Sequence, residues 1–281
     1  MDATLEAWIG RRERATDCIT VPLVHRLAAT LDRDDPMPRH GDPLPAGWHG
    51  VLFPRVVRQS QIGADGHPQR GDFVPPVPLP RRMNGGRRIR IQGDLRVGDE
   101  VERESVIERI ESKQGSTGAM VVVTVRTEIH TPRGRAVTEE QDILYRDHPR
   151  PGAPKRAPQP APAGVGFQRE WTPDPVMLFR YSALTFNGHR IHYDEPYVTR
   201  TEGYPERIVN GGLTALLVFE LARQRLDGEI AAVTLRNVGP LFVDRTLCVC
   251  GRPPSQSGVA AFWVTDYSGA LALTADISMA Q

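Results

Sequence analysis

Tyr181-Ser-Ala-Leu-Thr-Phe-Asn-Gly-His-Arg-Ile-His-Tyr-Asp194 gathers Asn187, His189, His192 and Asp194 into one short polar stretch. Soon after it, Val209-Asn-Gly-Gly-Leu213 opens the most apolar helix-forming run of the chain. Leu213, Ala215, Leu216, Leu217, Val218, Phe219, Leu221 and Ala222 give that run almost no polar face. A helix that is apolar nearly all round has to be enclosed, and a curved sheet wrapped about it would do so. Polar loop and buried helix together form a plausible site. The loop supplies proton-transfer groups, and the helix start supplies backbone N–H donors.

Within the loop, His192 has the side chain best suited to act as a general base near neutral pH. Asn187 is placed to hold a water or a substrate oxygen, but an amide cannot exchange a proton as a carboxylic acid does. Asp194 is a candidate to orient the imidazole. The N–H groups of Gly211 and Gly212 are candidates to polarise a carbonyl, while Asn210 suits either the site or a simple N-cap. His189-x-x-His192-x-Asp194 also admits a metal reading, which the neighbouring Arg190 opposes.

The composition bounds these choices. The chain has 281 residues, 40% hydrophobic and 25% charged, with a net charge of +1. That is the profile of a globular protein, with no global attraction to nucleic acid or to an anionic membrane. No apolar run reaches the ~18 residues of a membrane span. Met1-Asp-Ala-Thr-Leu-Glu has early acids and no apolar core, so no secretory signal is expected. Cys18, Cys248 and Cys250 are sparse and odd in number, which suits free thiols in a reducing cytoplasm better than disulfides or zinc.

Working outward, residues 148–166 are a Pro/Ala-rich run that reads as a semi-extended, exposed linker. It divides residues 1–147 from residues 167–281. In the first part, residues 1–14 suggest a short amphipathic helix, and Val21–Leu31 a helix with Pro22 in its first turn. Residues 58–83 are long, irregular and rich in proline, either a functional cover or a surface crossover. From Gly86 onward the pattern is an antiparallel meander, with a turn at Pro132-Arg-Gly134. In the second part an irregular region leads to the apolar helix, ended by Gly228, and then to strands near 233–237, 246–251, 259–267 and 270–278. Ser268-Gly269 marks a hairpin turn. Each part is a helix followed by strands that can wrap it.

Tyr181–Asp194 resembles the hydratase signature of the MaoC-like hotdog proteins, the (R)-specific enoyl-thioester hydratases and dehydratases. Tyr181, Leu184, Thr185, Ile191, His192 and Asp194 fall in step with it. The signature's catalytic His falls on His192 and its catalytic Asp on Asn187; Phe186 replaces a glycine and Arg190 a proline. The wording closely resembles the double-hotdog hydratases acting on mesaconyl-C4-CoA or itaconyl-CoA, and the mitochondrial 3-hydroxyacyl-thioester dehydratases are also similar. Gly71-Asp-Phe-Val-Pro-Pro-Val-Pro-Leu-Pro-Arg-Arg-Met83 and Leu95-Arg-Val-Gly-Asp-Glu-Val-Glu102 extend the resemblance through the first half. Asn210-Gly211-Gly212 stands where that branch has His-Gly-Pro or His-Gly-Met, and Asn84 where it has an aromatic residue.

The resemblance implies an α+β double hotdog, each half an antiparallel sheet around a central helix, with the site in the second. It implies a hydro-lyase acting on an acyl thioester of coenzyme A or a carrier protein, with no metal and no redox cofactor. His192, Asn187 and Gly211 would be catalytic. Tyr181, His189, Arg190, Asp194, Asn210, Gly212, Arg81 and Arg82 would bind substrate, the arginines taking a phosphate or carboxylate. Either a monomer of two hotdogs or a homodimer is expected. Two other readings stay open. A thioesterase would release free thiol, whereas a non-catalytic thioester-binding or assembly protein would bind the ester without turnover.

Overall fold

The computed structural model describes residues 3–115, 118–148, 157–256 and 258–280. In chain order its elements are α1 (Ala3–Glu6), β1 (Arg12–Cys18), α2 (Val21–Thr30), β2 (Arg81–Ile91), β3 (Glu100–Gly115), β4 (Gly118–Thr131) and β5 (Gly134–Arg146). They continue as β6 (Phe167–Trp171), α3 (Pro175–Leu184), α4 (Glu195–Arg200), α5 (Gly211–Arg225), β7 (Ile230–Asn237), β8 (Leu247–Arg252), β9 (Val259–Thr265) and β10 (Leu271–Met279). Short 3₁₀ turns lie at Trp48–Val51, Gln59–Gln61 and Arg190–His192.

All ten strands form one antiparallel sheet, ordered β1-β3-β4-β5-β2-β7-β10-β9-β8-β6. Counted outward from the β2–β7 junction, each second-half strand holds the place of the first-half strand numbered five lower. The junction runs from Gly86↔Arg236 to Arg90↔Ala232. Two sheet edges are thereby consumed inside one chain, leaving β1 and β6 as the outer strands. This is the tandem hotdog arrangement expected from the sequence.

Every residue of α5 from Leu213 to Ala222 is buried, which explains its lack of a polar stripe. Glu220 belongs to that run and is its one charged residue. Its Oε1 accepts from Trp48 Nε1 at 3.0 Å, and its Oε2 lies 3.6 Å from Arg33 Nε. A buried carboxylate thus ties the second-half helix to the first half. Glu220→Ala should cost about 1–3 kcal/mol, because the buried Trp48 N–H loses its acceptor while Arg33 keeps Asp35 as its counter-charge. A urea unfolding curve checks this, and a loss below ~1 kcal/mol would show that the tie is dispensable.

Several local expectations need correction. Residues 12–18 form edge strand β1, not the continuation of a helix. Its alternating Arg-Glu-Arg-Ala-Thr-Asp-Cys pairs with β3 on one side only, with Arg12 and Arg14 exposed and Glu13 and Asp17 half-buried. The region before α5 is not irregular throughout. Asp174 caps α3 by accepting from Met177 N at 2.7 Å, Pro175 opens that helix, and Tyr181 and Leu184 lie on it. Of the proline-rich run, residues 149–156 lie outside the described residues. Its end is docked: Gln159 O accepts from Leu271 N, and Gly166 N donates to Gly251 O, both at 2.9 Å. Among the described residues no helix is long and apolar enough to cross a membrane.

Candidate active site

The polar loop begins where α3 ends. Phe186 takes a left-handed conformation, φ 50°, and reverses the chain. Asn187 follows, its N–H donating to Ser182 O at 2.8 Å and its Oδ1 accepting from His189 N at 3.0 Å. The amide oxygen is therefore engaged in shaping the loop, which leaves Nδ2 as the group Asn187 can offer. His192 closes the 3₁₀ turn and is buried. Its Nδ1 donates to the Ile208 carbonyl at 2.8 Å, and Ile208 N donates to Ile191 O at 3.0 Å. With Nδ1 carrying the proton, Nε2 holds the free lone pair that a base requires.

The Ile208 contact also sets distance along the chain, because Gly211 starts α5 only three residues later. Asn210 does not cap α5 with its side chain. Its Nδ2 donates to Ser182 Oγ at 3.4 Å, and its buried Oδ1 has no partner. The Gly211, Gly212 and Leu213 N–H groups carry no backbone hydrogen bond among the described residues. They form a concentration of partial positive charge. Gly212 is required by sterics, since a Cβ there would overlap the Tyr181 hydroxyl. Gly211 faces the amides of Asn84 and Asn237. A narrow cavity continues from Gly212 and Tyr181 along Phe219 to His49 and Arg87. Burial pushes the Tyr181 phenol up to about 12, so it stays protonated and able to donate.

The arginines expected to bind substrate separate into two groups. Arg190 pairs with Asp194 at 2.7 Å, donates to Ala64 O at 2.9 Å and lies over the Tyr197 ring. Asp194 also caps α4 by accepting from Tyr197 N. Both residues hold the loop together, and Asp194 does not reach the His192 imidazole as an orienting group. The set His189, His192 and Asp194 is therefore not assembled as a metal site. Arg81 pairs with Glu202 at 2.9 Å. Arg82 has no ion-pair or side-chain hydrogen-bond partner among the described residues. Its charge acts on His67, His189 and Tyr145.

Residues from the irregular region 58–83 reach this site, and the motif alone does not reveal them. Asp65 O accepts from Arg190 N at 2.9 Å. Gly66, at φ +88°, meets Gly188 so closely that a Cβ would collide with its carbonyl oxygen. The His67 ring lies against His189, centroids 4.1 Å apart and planes tilted by 43°, and His189 meets His192 edge to face at 5.5 Å. Asp65, His67 and His189 offer ligand atoms within 4.8 Å of one another, and the nearby Arg82 charge would oppose a cation held there. The available signal was Asp-Gly-His, a turn glycine between two proton-transfer residues, within a loop too long to be a bare connection.

Burial lowers the His192 pKa to about 4, with its bond to Ile208 only partly countering. The imidazole is thus neutral at pH 7 in the folded protein. Unfolded histidine takes up a proton near pH 6.5. This contribution to stability is therefore full above pH 6.5 and falls as the pH drops from there towards 4. Urea midpoints should be lower at pH 5 than at pH 7, with a smaller difference in His192→Gln. An equal difference in the variant would remove His192 as the cause.

The profile of the hydroxyacyl-thioester dehydratase type 2 family matches residues 47–243. The chain is 46% identical over 239 residues to the mesaconyl-C(4)-CoA hydratase of Chloroflexus aurantiacus, covering 84% of each chain. Among solved structures, a MaoC-like dehydratase from Phytophthora capsici superposes with a TM-score of 0.70 at 15% identity, covering 100% of this chain and 98% of that one. A Mycobacterium tuberculosis protein described as having a double hotdog fold gives 0.58 at 14% identity, covering 96% and 95%. Fold, matched region and relative agree: this chain belongs to the hydroxyacyl-thioester dehydratase type 2 family of double-hotdog hydro-lyases.

Proposed function

We propose that the chain reversibly adds water to a 2-enoyl thioester of coenzyme A whose acyl group bears a second carboxylate, as mesaconyl-C4-CoA does. The observation that carries the reading is the fixed tautomer of His192, with Nε2 free and Nδ1 bonded to Ile208, three residues before the unpartnered N–H groups of α5. Nε2 takes a proton from water as the water oxygen bonds the β-carbon. Electron density from the double bond moves onto the thioester oxygen, where the Gly211 and Gly212 N–H groups stabilise it. The Tyr181 hydroxyl adds a donor beside Gly212, and Asn187 Nδ2 holds the attacking water. The α-carbon must then gain a proton, which an amide cannot supply. This chemistry uses no redox cofactor and no metal.

Arg82 is assigned to the substrate carboxylate, because it is a cation without a partner beside the histidine cluster. Arg81, Arg190 and Asp194 are assigned to holding the loop. We assign the general base and the carbonyl-binding N–H groups to residues 167–281, joined through 148–166 to a first half, 1–147, that completes the site. Three free thiols suit a reducing cytoplasm, and the internally paired sheet suits either a monomer or a homodimer. Arg82→Met should raise KM for mesaconyl-C4-CoA by about 10- to 100-fold, the worth of one charge-assisted hydrogen bond. KM for crotonyl-CoA, which lacks the carboxylate, should stay within about threefold. An equal rise for both esters would move Arg82 to the coenzyme A phosphates.

A further inference from the structure

We propose that Asp65 and His67, carried by the first half, form the second acid–base pair of the hydration site, with His67 exchanging the proton at the substrate α-carbon. The inference rests on the hydratase reading above and concerns a step for which that reading names no donor. Asn187 cannot fill the gap, since its oxygen accepts from His189 N and its nitrogen is an amide.

The geometry supports an oriented imidazole. Asp65 Oδ1 accepts from His67 N at 3.0 Å, and Asp65 Oδ2 lies 3.2 Å from His67 Nδ1. A carboxylate on Nδ1 fixes that nitrogen as the N–H and leaves Nε2 for proton exchange, as the Ile208 carbonyl does for His192. Burial works against both groups. It lowers the His67 pKa against the pull of Asp65, while the His67 bonds hold Asp65 below the ordinary carboxylate range. His67 nonetheless keeps 22% of its side chain exposed, whereas His189 and His192 are buried. Of the three imidazoles it is the most exposed.

The pair is also held in place from the second half. Arg190 N donates to Asp65 O, Arg190 Nη1 donates to Ala64 O, and Gly66 lies against Gly188 without clearance. A surface crossover would need none of these contacts.

The protons balance. In hydration, His192 gains a proton from water while the water oxygen bonds the β-carbon. His67 starts neutral, and the proton gained by His192 passes to it past His189, whose ring contacts both. His67 Nε2 then gives that proton to the α-carbon of the enolate and is neutral again. One water has been added, and both bases regain their starting states. Dehydration runs the same steps in reverse.

The test separates the two transfers. Hydration of crotonyl-CoA is followed by absorbance, and exchange of the α-protons of butyryl-CoA in D2O by mass spectrometry. Butyryl-CoA has no β-hydroxyl and cannot eliminate water. His67→Gln and His67→Ala should each lose about 10²- to 10⁴-fold in hydration and in α-exchange, the usual worth of a general acid or base. Asp65→Asn should lose about tenfold in both. His192→Ala should lose hydration yet keep α-exchange within about tenfold of wild type. Full hydration by His67→Gln would overturn the proposal. So would α-exchange that survives in His67→Gln and vanishes in His192→Ala, which assigns both transfers to His192. Absence of hydration in the wild type would sink the hydratase reading itself, a distinguishable failure.

Discussion

His192→Ala should lower kcat for hydration by about 10³-fold, within the range for loss of a general base. Little else should change. The side chain makes one hydrogen bond, to Ile208 O, and the neighbouring backbone bond from Ile208 N to Ile191 O is independent of it. KM should therefore move by no more than about threefold, since the base acts on water and not on the thioester. His192→Gln keeps a donor for the Ile208 carbonyl but offers no basic nitrogen, so it should fail as badly as alanine. Steady-state kinetics of the two variants decide this. A glutamine variant within tenfold of wild type would mean that His192 only shapes the loop.

Gly66→Ala should cost about 10²-fold in kcat/KM, although Gly66 belongs to the first half and is not assigned any contact with substrate. Its Cβ would collide with the Gly188 carbonyl and push the Asn187–His192 loop away from α5. A misplacement of about 1 Å is enough for a loss of that size. Part of any effect would come from the backbone, because alanine is strained at φ +88° by about 1–2 kcal/mol. Gly41 isolates that part. It has φ +88° too, but a Cβ there meets nothing within 4 Å. Gly41→Ala should lose comparable stability and keep turnover within about twofold. Equal losses of activity in both variants would reduce the Gly66–Gly188 contact to ordinary strain.

The parts of this molecule legible in its sequence are those set by local pattern. Helix α5 could be read because ten consecutive enclosed residues leave no polar stripe. The hairpins could be read because Pro132-Arg-Gly134 and Ser268-Gly269 are turn chemistry that few other structures use. Strand β1 escaped because an edge strand with charges on its exposed positions does not look apolar on either face. Helix α3 escaped although its start signal, Asp174-Pro175, was present, because Val176 and Phe179 face outward and blur its period.

The site divides in the same way. Asn187, His192 and Gly211 are read from a motif confined to one stretch of chain. Asp65 and His67 come to His189 only through the β2–β7 junction and a long connecting loop, and nothing local encodes that meeting. Glu220 illustrates the same limit, since its partners Trp48 and Arg33 lie in the other half. The arginines show the converse. Three looked equivalent as free cations, Arg81, Arg82 and Arg190, but only the fold shows that Glu202 and Asp194 neutralise the other two and leave Arg82.

The central claim, water added across a carbon–carbon double bond with the thioester intact, is tested most directly in H₂¹⁸O. Wild-type protein is incubated with mesaconyl-C4-CoA, and the coenzyme A ester is analysed by mass spectrometry beside an assay for free thiol. The expected product is a coenzyme A ester heavier by one molecule of labelled water, with the label on the β-carbon and no thiol released. Label in a free acid together with free coenzyme A would contradict the claim in favour of a thioesterase. Binding of the ester with no label incorporated would contradict it in favour of a protein that holds the thioester without turning it over.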